Sequence, residues 1–136
     1  MLKIYLDAST KGNPGPSGGG IVLVGDQLYE QLSFPLENLS NHQAEFAVMQ
    51  KALTLLLERN LHQQTCMFFT DSKIVAQTID KDYTNNPAFQ DYLTAIRTLL
   101  AQFSLAIIQW IPENQNKGAD HLARQGLAKA LRLKDR

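Results

Sequence analysis

Four acidic residues occupy positions that solubility alone does not explain. Asp7 ends the first predicted strand, and Asp71 directly follows the apolar run 66–70. Glu45 lies on the apolar face of a predicted helix, where an ionised carboxylate is costly unless it is paired. Asp120 lies in the first turn of the last predicted helix. Strand ends and loops commonly carry the chemistry of sheet proteins, so these four residues form the candidate site.

Each of these residues has a plain structural explanation when it is taken alone. Asp71 could cap the helix that follows it, Asp120 could favour the positive end of its helix, and Glu45 could pair with a basic side chain. If all four converge, their mutual repulsion raises pKa values and destabilises the cluster. A hard divalent cation with oxygen ligands removes that repulsion, so the four residues together predict a divalent-metal site.

The first third of the chain predicts an antiparallel meander. Alternating apolar residues indicate a strand over 2–7, and apolar runs indicate strands over 21–24 and 28–34. Residues 12–20 are rich in Gly and Pro and predict a loop.

The rest of the chain alternates helices with strands. Ser40 or Asn41 can cap a helix that runs to about residue 59. The later predicted elements are strands over 66–70 and 105–110, and helices over 72–79, 85–103 and 119–133. The order βββαβααβα predicts an α/β fold in which helices pack on a mixed five-stranded sheet, in one domain over 1–136.

Composition excludes several classes of protein. The 136 residues are 44% apolar and 19% charged, which is typical of a folded globular chain. The single cysteine, Cys66, excludes an intramolecular disulfide and a Cys-rich zinc site. No run reaches the ~18 apolar residues of a membrane span, and no signal-peptide stretch opens the chain. We therefore expect a cytoplasmic protein.

The formal net charge of zero hides an uneven distribution. Residues 1–115 hold 7 basic and 11 acidic residues, whereas residues 116–136 hold 6 basic and 2 acidic ones. Two divalent ions at the four candidate acids would leave a net charge of roughly +4. The zero balance therefore does not exclude a nucleic-acid substrate, and it predicts binding that depends on salt and metal.

Several short motifs, in order along the chain, resemble the ribonuclease H type 1 family and its reverse-transcriptase-like relatives. They are Leu-Asp-Ala-Ser at 6–9, the glycine-rich segment 12–20, Ser-Asn-His-Gln-Ala-Glu at 40–45, Phe-Thr-Asp-Ser at 69–72, and Asn-Lys-Gly-Ala-Asp-His-Leu-Ala at 116–123. The resemblance implies a ribonuclease H-like fold. It also implies an endonuclease that hydrolyses the RNA strand of RNA–DNA hybrids to products with 5′-phosphate and 3′-hydroxyl ends.

The same resemblance implies that two Mg²⁺ or Mn²⁺ ions are held by Asp7, Glu45, Asp71 and Asp120. It places Asp7 between the two ions, Glu45 and Asp71 on the leaving-group side, and Asp120 beside the ion on the side of the attacking water. Two such ions suit an in-line displacement at a phosphate.

Candidate contacts to nucleic acid lie around these motifs. Glycines in the segment 12–20, including Gly15, would let the backbone approach the minor groove, where the RNA 2′-hydroxyl is exposed. The side-chain candidates are Asn13, Asn41 and Gln43, followed by Ser72 and Asn116. A turn or helix-capping role is the alternative for each side chain, and a flexible connector is the alternative for the segment.

The chain departs from the family pattern at three places. No histidine occurs in the loop before Asp120, where Glu113 is the only acid and becomes the candidate loop acid. Residues 73–104 hold three basic and three acidic residues, so no basic substrate-binding handle is predicted. His42 stands where the family usually has a second asparagine, and its role is left open.

Two alternatives to a hybrid-specific ribonuclease remain at this point. One is a non-catalytic module that binds RNA or RNA–DNA hybrids on the same fold, although such a module would gain nothing from four acids. The other is a nuclease of the same fold that acts on other structured RNA. The expected partner is the RNA–DNA hybrid, and a monomer without an obligate protein partner is expected.

Overall fold

The computed structural model describes residues 1–134. In chain order, the strands are β1 (Leu2–Thr10), β2 (Gly15–Gly25), β3 (Leu28–Leu39), β4 (Thr65–Thr70) and β5 (Leu105–Trp110). The helices are α1 (Asn41–Glu58), α2 (Lys73–Lys81), α3 (Pro87–Leu100) and α4 (Lys117–Lys134), with a 3₁₀ turn over Glu113–Gln115 before α4. The predicted order of elements is confirmed.

The five strands form one mixed sheet in the order β3-β2-β1-β4-β5. The three strands of the meander are antiparallel, and β1, β4 and β5 run parallel. The parallel pairing ends in one row, because Leu6 pairs with Thr70 and Thr70 pairs with Trp110. Asp7 directly follows Leu6, and Asp71 directly follows Thr70. The pairing of these strands therefore brings the two acids to the same end of the sheet.

Helices cover both faces of the sheet. On one face, α1 packs Phe46 against apolar side chains such as Ile4 and Phe68, and all three are fully buried. Burial of each phenylalanine side chain contributes roughly 2–3 kcal/mol to stability. On the opposite face, α4 crosses the meander strands and packs Ala119 and Leu122 around Val22.

The prediction of a loop over 12–20 is wrong for most of that segment. The turn occupies residues 11–14, and Gly15 already belongs to β2. Two of its glycines, Gly18 and Gly20, place their backbone directly against α4. A Cβ atom on Gly18 would stand 2.0 Å from the backbone nitrogen of Leu127. Glycine here permits close helix–sheet packing, whereas the sequence suggested flexibility.

Several predicted boundaries also shift. β1 continues to Thr10, so Asp7 lies within a strand that outlasts its parallel pairing. β3 extends to Leu39, α3 ends at Leu100 where 103 was predicted, and α4 begins at Lys117 where 119 was predicted. Ser40, rather than Asn41, is the cap of α1. Among the described residues, no helix has the length and apolar character needed to cross a membrane.

Candidate active site

The four predicted carboxylates come from four different parts of the chain. They lie at the end of the sheet where the parallel strands β1 and β4 finish their pairing. Asp7 lies in β1 just after its parallel pairing with β4 ends, and Asp71 directly follows β4. Glu45 lies in the second turn of α1, and Asp120 lies in the first turn of α4. All four are half-buried. The charges of Asp71 and Asp120 both act on Asp7, and that of Glu45 acts on Asp71, so the four residues lie within electrostatic reach of one another.

Asp7 has the most strongly perturbed carboxyl group. Burial raises its pKa to about 8, and the neighbouring charges of Asp71 and Asp120 contribute to the same effect. The backbone N–H of Ala8 donates to Oδ1 of Asp7 at 2.8 Å and opposes this rise in pKa. In the absence of a cation, the folded chain therefore favours a protonated Asp7 at neutral pH.

Asp71 is positioned by hydrogen bonds on both its backbone and its side chain. Trp110 Nε1 donates to the backbone carbonyl of Asp71 at 3.2 Å, and Asn116 Nδ2 donates to Oδ2 at 3.3 Å. Burial raises the pKa of Asp71, and the charges of Glu45 and Glu113 add to this, whereas the bond from Asn116 lowers it. The carboxyl group of Asp71 is thus held in place, but its ionised form remains unfavourable.

Asn116 links the two central strands to the last helix. Its Nδ2 also donates to the carbonyl of Leu6 at 2.7 Å, and only 2% of the residue is exposed. The backbone carbonyl of Asn116 accepts from the N–H of Asp120 at 3.0 Å. One buried residue therefore joins the end of β1, the end of β4 and the start of α4.

Glu45 is oriented by the side chain one helical turn before it. His42 Nδ1 lies 3.3 Å from Oε2 of Glu45, and the imidazole ring packs edge-on against Phe89, with centroids 6.3 Å apart. This contact gives His42, whose role the sequence left open, a position beside the acidic cluster.

Asp120 and Glu113 line an open cleft together with Lys117. Arg124, one turn along α4, places Nε 3.2 Å from Oδ2 of Asp120. Glu113 is exposed in the 3₁₀ turn, and its charge helps to raise the pKa of Asp71. The structure thus places the predicted loop acid within the electrostatic reach of the cluster.

The four carboxylates are suitable ligands for a divalent cation, although their side chains do not form a compact cluster. Within residues 1–134, no three His, Cys, Asp or Glu side chains stand close enough to form a ready-made metal site. All four side chains offer oxygen ligands, and the pKa values of two of them, Asp7 and Asp71, are raised. Mg²⁺ or Mn²⁺ would stabilise the ionised form of these carboxylates.

Three of the predicted nucleic-acid contacts are turned into the protein. Ser72 is 5% exposed and caps α2, its Oγ accepting from the N–H of Val75 at 3.2 Å. Asn116 is buried as described above. Gly15 is buried where the chain folds back on Lys11, whose carbonyl oxygen would lie 1.8 Å from an added Cβ. Each of these residues therefore completes internal structure, and its contact with substrate stays a prediction.

The other three candidates lie at the surface where the first turn meets α1. Asn13 Oδ1 accepts from the N–H of Asn41 at 3.1 Å, so the exposed turn is tied to the start of the helix. Gln43 and Ser40 form a reciprocal capping box. Asn13 and Asn41 are exposed, and their Nδ2 groups take part in no hydrogen bond that the structure describes. A substrate contact at these two residues stays a prediction.

Sequence reasoning missed the contacts that position the acids. The Trp110 and Asn116 bonds to Asp71 join residues 39 and 45 positions apart, and no local pattern reports them. Lys73, whose Nζ lies 5.1 Å from the centroid of the Trp110 ring, was also missed. The Asp120–Arg124 pair had a readable signal, because residues four apart on a helix are neighbours.

A mixed sheet in this strand order, with four carboxylates near the end of its parallel strands, defines a ribonuclease H-like protein.

A profile of the family described as reverse transcriptase-like matches residues 5–126. A protein of Enterococcus faecalis provisionally named hydrolase EbsB is 53% identical over 129 residues, which are 95% of this chain and 96% of EbsB. Ribonuclease H of Parvibaculum lavamentivorans is 30% identical, with 96% of this chain and 95% of that protein covered.

The fold has a close match among solved structures. RNase H1 from Halobacterium salinarum superimposes with a TM-score of 0.86 at 29% sequence identity, covering 95% of this chain and 98% of that one. The chain therefore belongs to the ribonuclease H family of enzymes, in its reverse transcriptase-like group.

Proposed function

We propose that this protein is a metal-dependent endonuclease that hydrolyses the RNA strand of RNA–DNA hybrids and leaves 5′-phosphate and 3′-hydroxyl ends. The observation that carries the proposal is the convergence of Asp7, Glu45, Asp71 and Asp120 in a member of the ribonuclease H family. Relatives that share this family are named for ribonuclease H activity.

The four carboxylates would hold two Mg²⁺ or Mn²⁺ ions. Ions bound there supply Lewis-acid activation of a water molecule and offset the negative charge of the scissile phosphate. The raised pKa values of Asp7 and Asp71 support this assignment, because each group gains most from a nearby positive charge.

The remaining residues of the site act by orienting these acids. Asn116 and Trp110 hold Asp71, the N–H of Ala8 holds Asp7, and His42 contacts Glu45. Fixed rotamers keep the carboxylates near their working positions without reorganisation during the reaction. Glu113 is exposed at the mouth of the cleft and would exchange protons with solvent near the scissile phosphate.

Substrate selection would rest on the surface around the first turn. Asn13 and Asn41 are exposed and joined by a hydrogen bond, and Asn41 lies four residues before Glu45 in α1. Amide donors at this place can bond the 2′-hydroxyls and base edges of an A-like minor groove. The structure adds Lys73 and Trp110 beside Asp71, a cation and an aromatic ring that suit a phosphate and a sugar or base.

The test is cleavage of an RNA–DNA duplex labelled on each strand in turn, with Mg²⁺, Mn²⁺ or chelator. We expect cleavage of the RNA strand alone, dependent on the metal. Asp71→Asn should lower the rate at least about 100-fold, because it removes a ligand from the centre that neutralises the phosphate. Asp80→Asn makes the same chemical change at an exposed position in α2 and should leave the rate unchanged.

The other outcomes separate the alternatives. Binding of the duplex without cleavage under any metal would favour a non-catalytic module. Cleavage of double-stranded RNA at a comparable rate would favour a nuclease of broader specificity. Loss of activity in Asp80→Asn equal to that in Asp71→Asn would refute the assignment of the site.

A further inference from the structure

The two edges of the sheet differ in their protection against another strand. The edge strand β3 carries Glu30, Pro35 and Glu37, and charges and proline discourage strand addition. The opposite edge strand, β5, reads Leu-Ala-Ile-Ile-Gln-Trp and has neither. Its register with β4 runs without a bulge from Leu105 to Trp110. Within residues 1–134, β5 pairs only with β4, so its outer side is open.

The backbone of β5 presents hydrogen-bonding groups on this open side. The N–H of Ile111 donates to the carbonyl of Thr70 at 2.9 Å, towards β4. The backbone groups of successive residues in a strand point to alternate sides. Ala106 and Ile108 therefore direct their N–H and C=O groups away from the sheet.

Within residues 1–134, a side chain occupies the outward-facing backbone group at one end of this row. The carbonyl of Trp110, on the same side, accepts from Nε2 of Gln109 at 2.9 Å. Apolar side chains flank the free groups, with Leu105 51% exposed and Ile107 37% exposed. A straight, uncharged and apolar edge with free backbone groups favours the addition of a strand.

We propose that β5 is a self-association edge, where two copies of this chain pair β5 antiparallel about a two-fold axis through Ile107. In this register, Ala106 of each copy faces Ile108 of the other, and the two pairs exchange four backbone hydrogen bonds. Ile107 faces its own counterpart on the axis, and Leu105 faces Gln109 on the same surface.

A second copy is favoured because the segment is complementary to itself. A two-fold interface requires each residue to suit the residue that it meets after rotation. About Ile107, apolar residues meet apolar residues or glutamine, and neither a charge nor a pair of like charges is buried. A strand with charged side chains would instead place a charge against exposed Ile107 and Leu105.

The interface is small and is therefore expected to be weak. Six residues from each copy bury less than the ~1,200 Å² of a standard interface, so we expect a dissociation constant on the order of 10–100 µM. The expectation of a monomer would then hold only below that concentration. The residues that face each other are 105–109, so neither Trp110 nor the four carboxylates take part in the pairing.

The experiment is sedimentation velocity of the full chain from about 5 to about 500 µM, which spans the expected constant. The average mass should rise from that of the monomer towards that of a dimer. Ile107→Lys places like charges opposite each other on the axis and should weaken pairing at least tenfold. Leu133→Lys, which makes the same charge change at a 55% exposed position in α4, should pair like the parent chain.

A second variant tests the backbone directly. Ala106→Pro removes one outward N–H from each copy, which deletes two of the four hydrogen bonds, and proline is tolerated where an edge N–H faces solvent. It should also remain monomeric, with circular dichroism unchanged. A parent chain that stays monomeric at the highest concentration overturns the proposal. So does dimerisation of both variants as tight as that of the parent, or growth beyond the dimer.

Discussion

The packing of α4 on the sheet can be tested at two glycines of the same helix. Gly126 faces the meander, and an added Cβ would lie 2.4 Å from the carbonyl oxygen of Phe34 and 2.9 Å from that of Gly19. Gly118, in the first turn, would place its Cβ 3.7 Å from Cγ2 of Val22, which is an ordinary contact. Gly126→Ala and Gly118→Ala therefore make one chemical change in two different environments.

The magnitudes follow from these distances. In Gly126→Ala, helix and strand must separate by about 1 Å to reach normal contact, and overpacking of this kind costs ~3 kcal/mol at the upper end of its range. The better helix propensity of alanine returns ~1 kcal/mol, so the net loss is about 2 kcal/mol. Gly118→Ala meets no obstacle and should gain about 0.5 kcal/mol near the helix end.

Thermal unfolding in chelator, followed by circular dichroism, measures both effects. We expect Gly126→Ala to lower Tm by roughly 7 °C and Gly118→Ala to raise it by roughly 2 °C, since 1 kcal/mol corresponds to about 3–4 °C in a domain of this size. Because α4 carries Asp120, the stabilisation by added Mg²⁺ should also shrink in Gly126→Ala. A Gly126→Ala protein as stable as the parent, or an equal loss in Gly118→Ala, would refute the account.

Three further predictions concern the acidic site. Because the pKa of Asp7 rises from 3.8 to about 8 on folding, its protonation favours the folded state at low pH, and this stability is lost progressively as pH rises from about 4 to about 8. In chelator at pH 7, Asp7→Asn should therefore raise the free energy of unfolding by up to ~4 kcal/mol and flatten its dependence on pH; an unchanged profile in urea titrations contradicts this. Asn116→Ala leaves the carbonyl of Leu6 buried without its donor and should cost about 1–3 kcal/mol by the same titration, with weaker Mg²⁺ binding as a second readout. Glu113→Gln should slow hybrid cleavage by ~10-fold at unchanged Mg²⁺ affinity, and turnover equal to that of the parent would end its role as loop acid.

Much of the candidate site was readable from the sequence because its signals are local. Asp71 follows an apolar strand, Glu45 interrupts an apolar helical face, and Asp120 opens a helix; each pattern needs only a few neighbours. The order of elements was equally readable, since the period of apolar residues separates strands from helices. The glycines of β2 were misread because glycine serves both flexible turns and close packing.

The sequence by itself determined which acids could do chemistry, which elements carry them and the order of those elements. Only the tertiary structure decided how the acids are held, because the decisive contacts are distant in sequence. Asn116 bonds Leu6 across 110 positions and Asp71 across 45, and the backbones of α4 and β2 come closest where glycine removes the Cβ atom. The pKa of Asp7 likewise depends on burial and on charges that folding brings together, and no pattern along the chain records those distances.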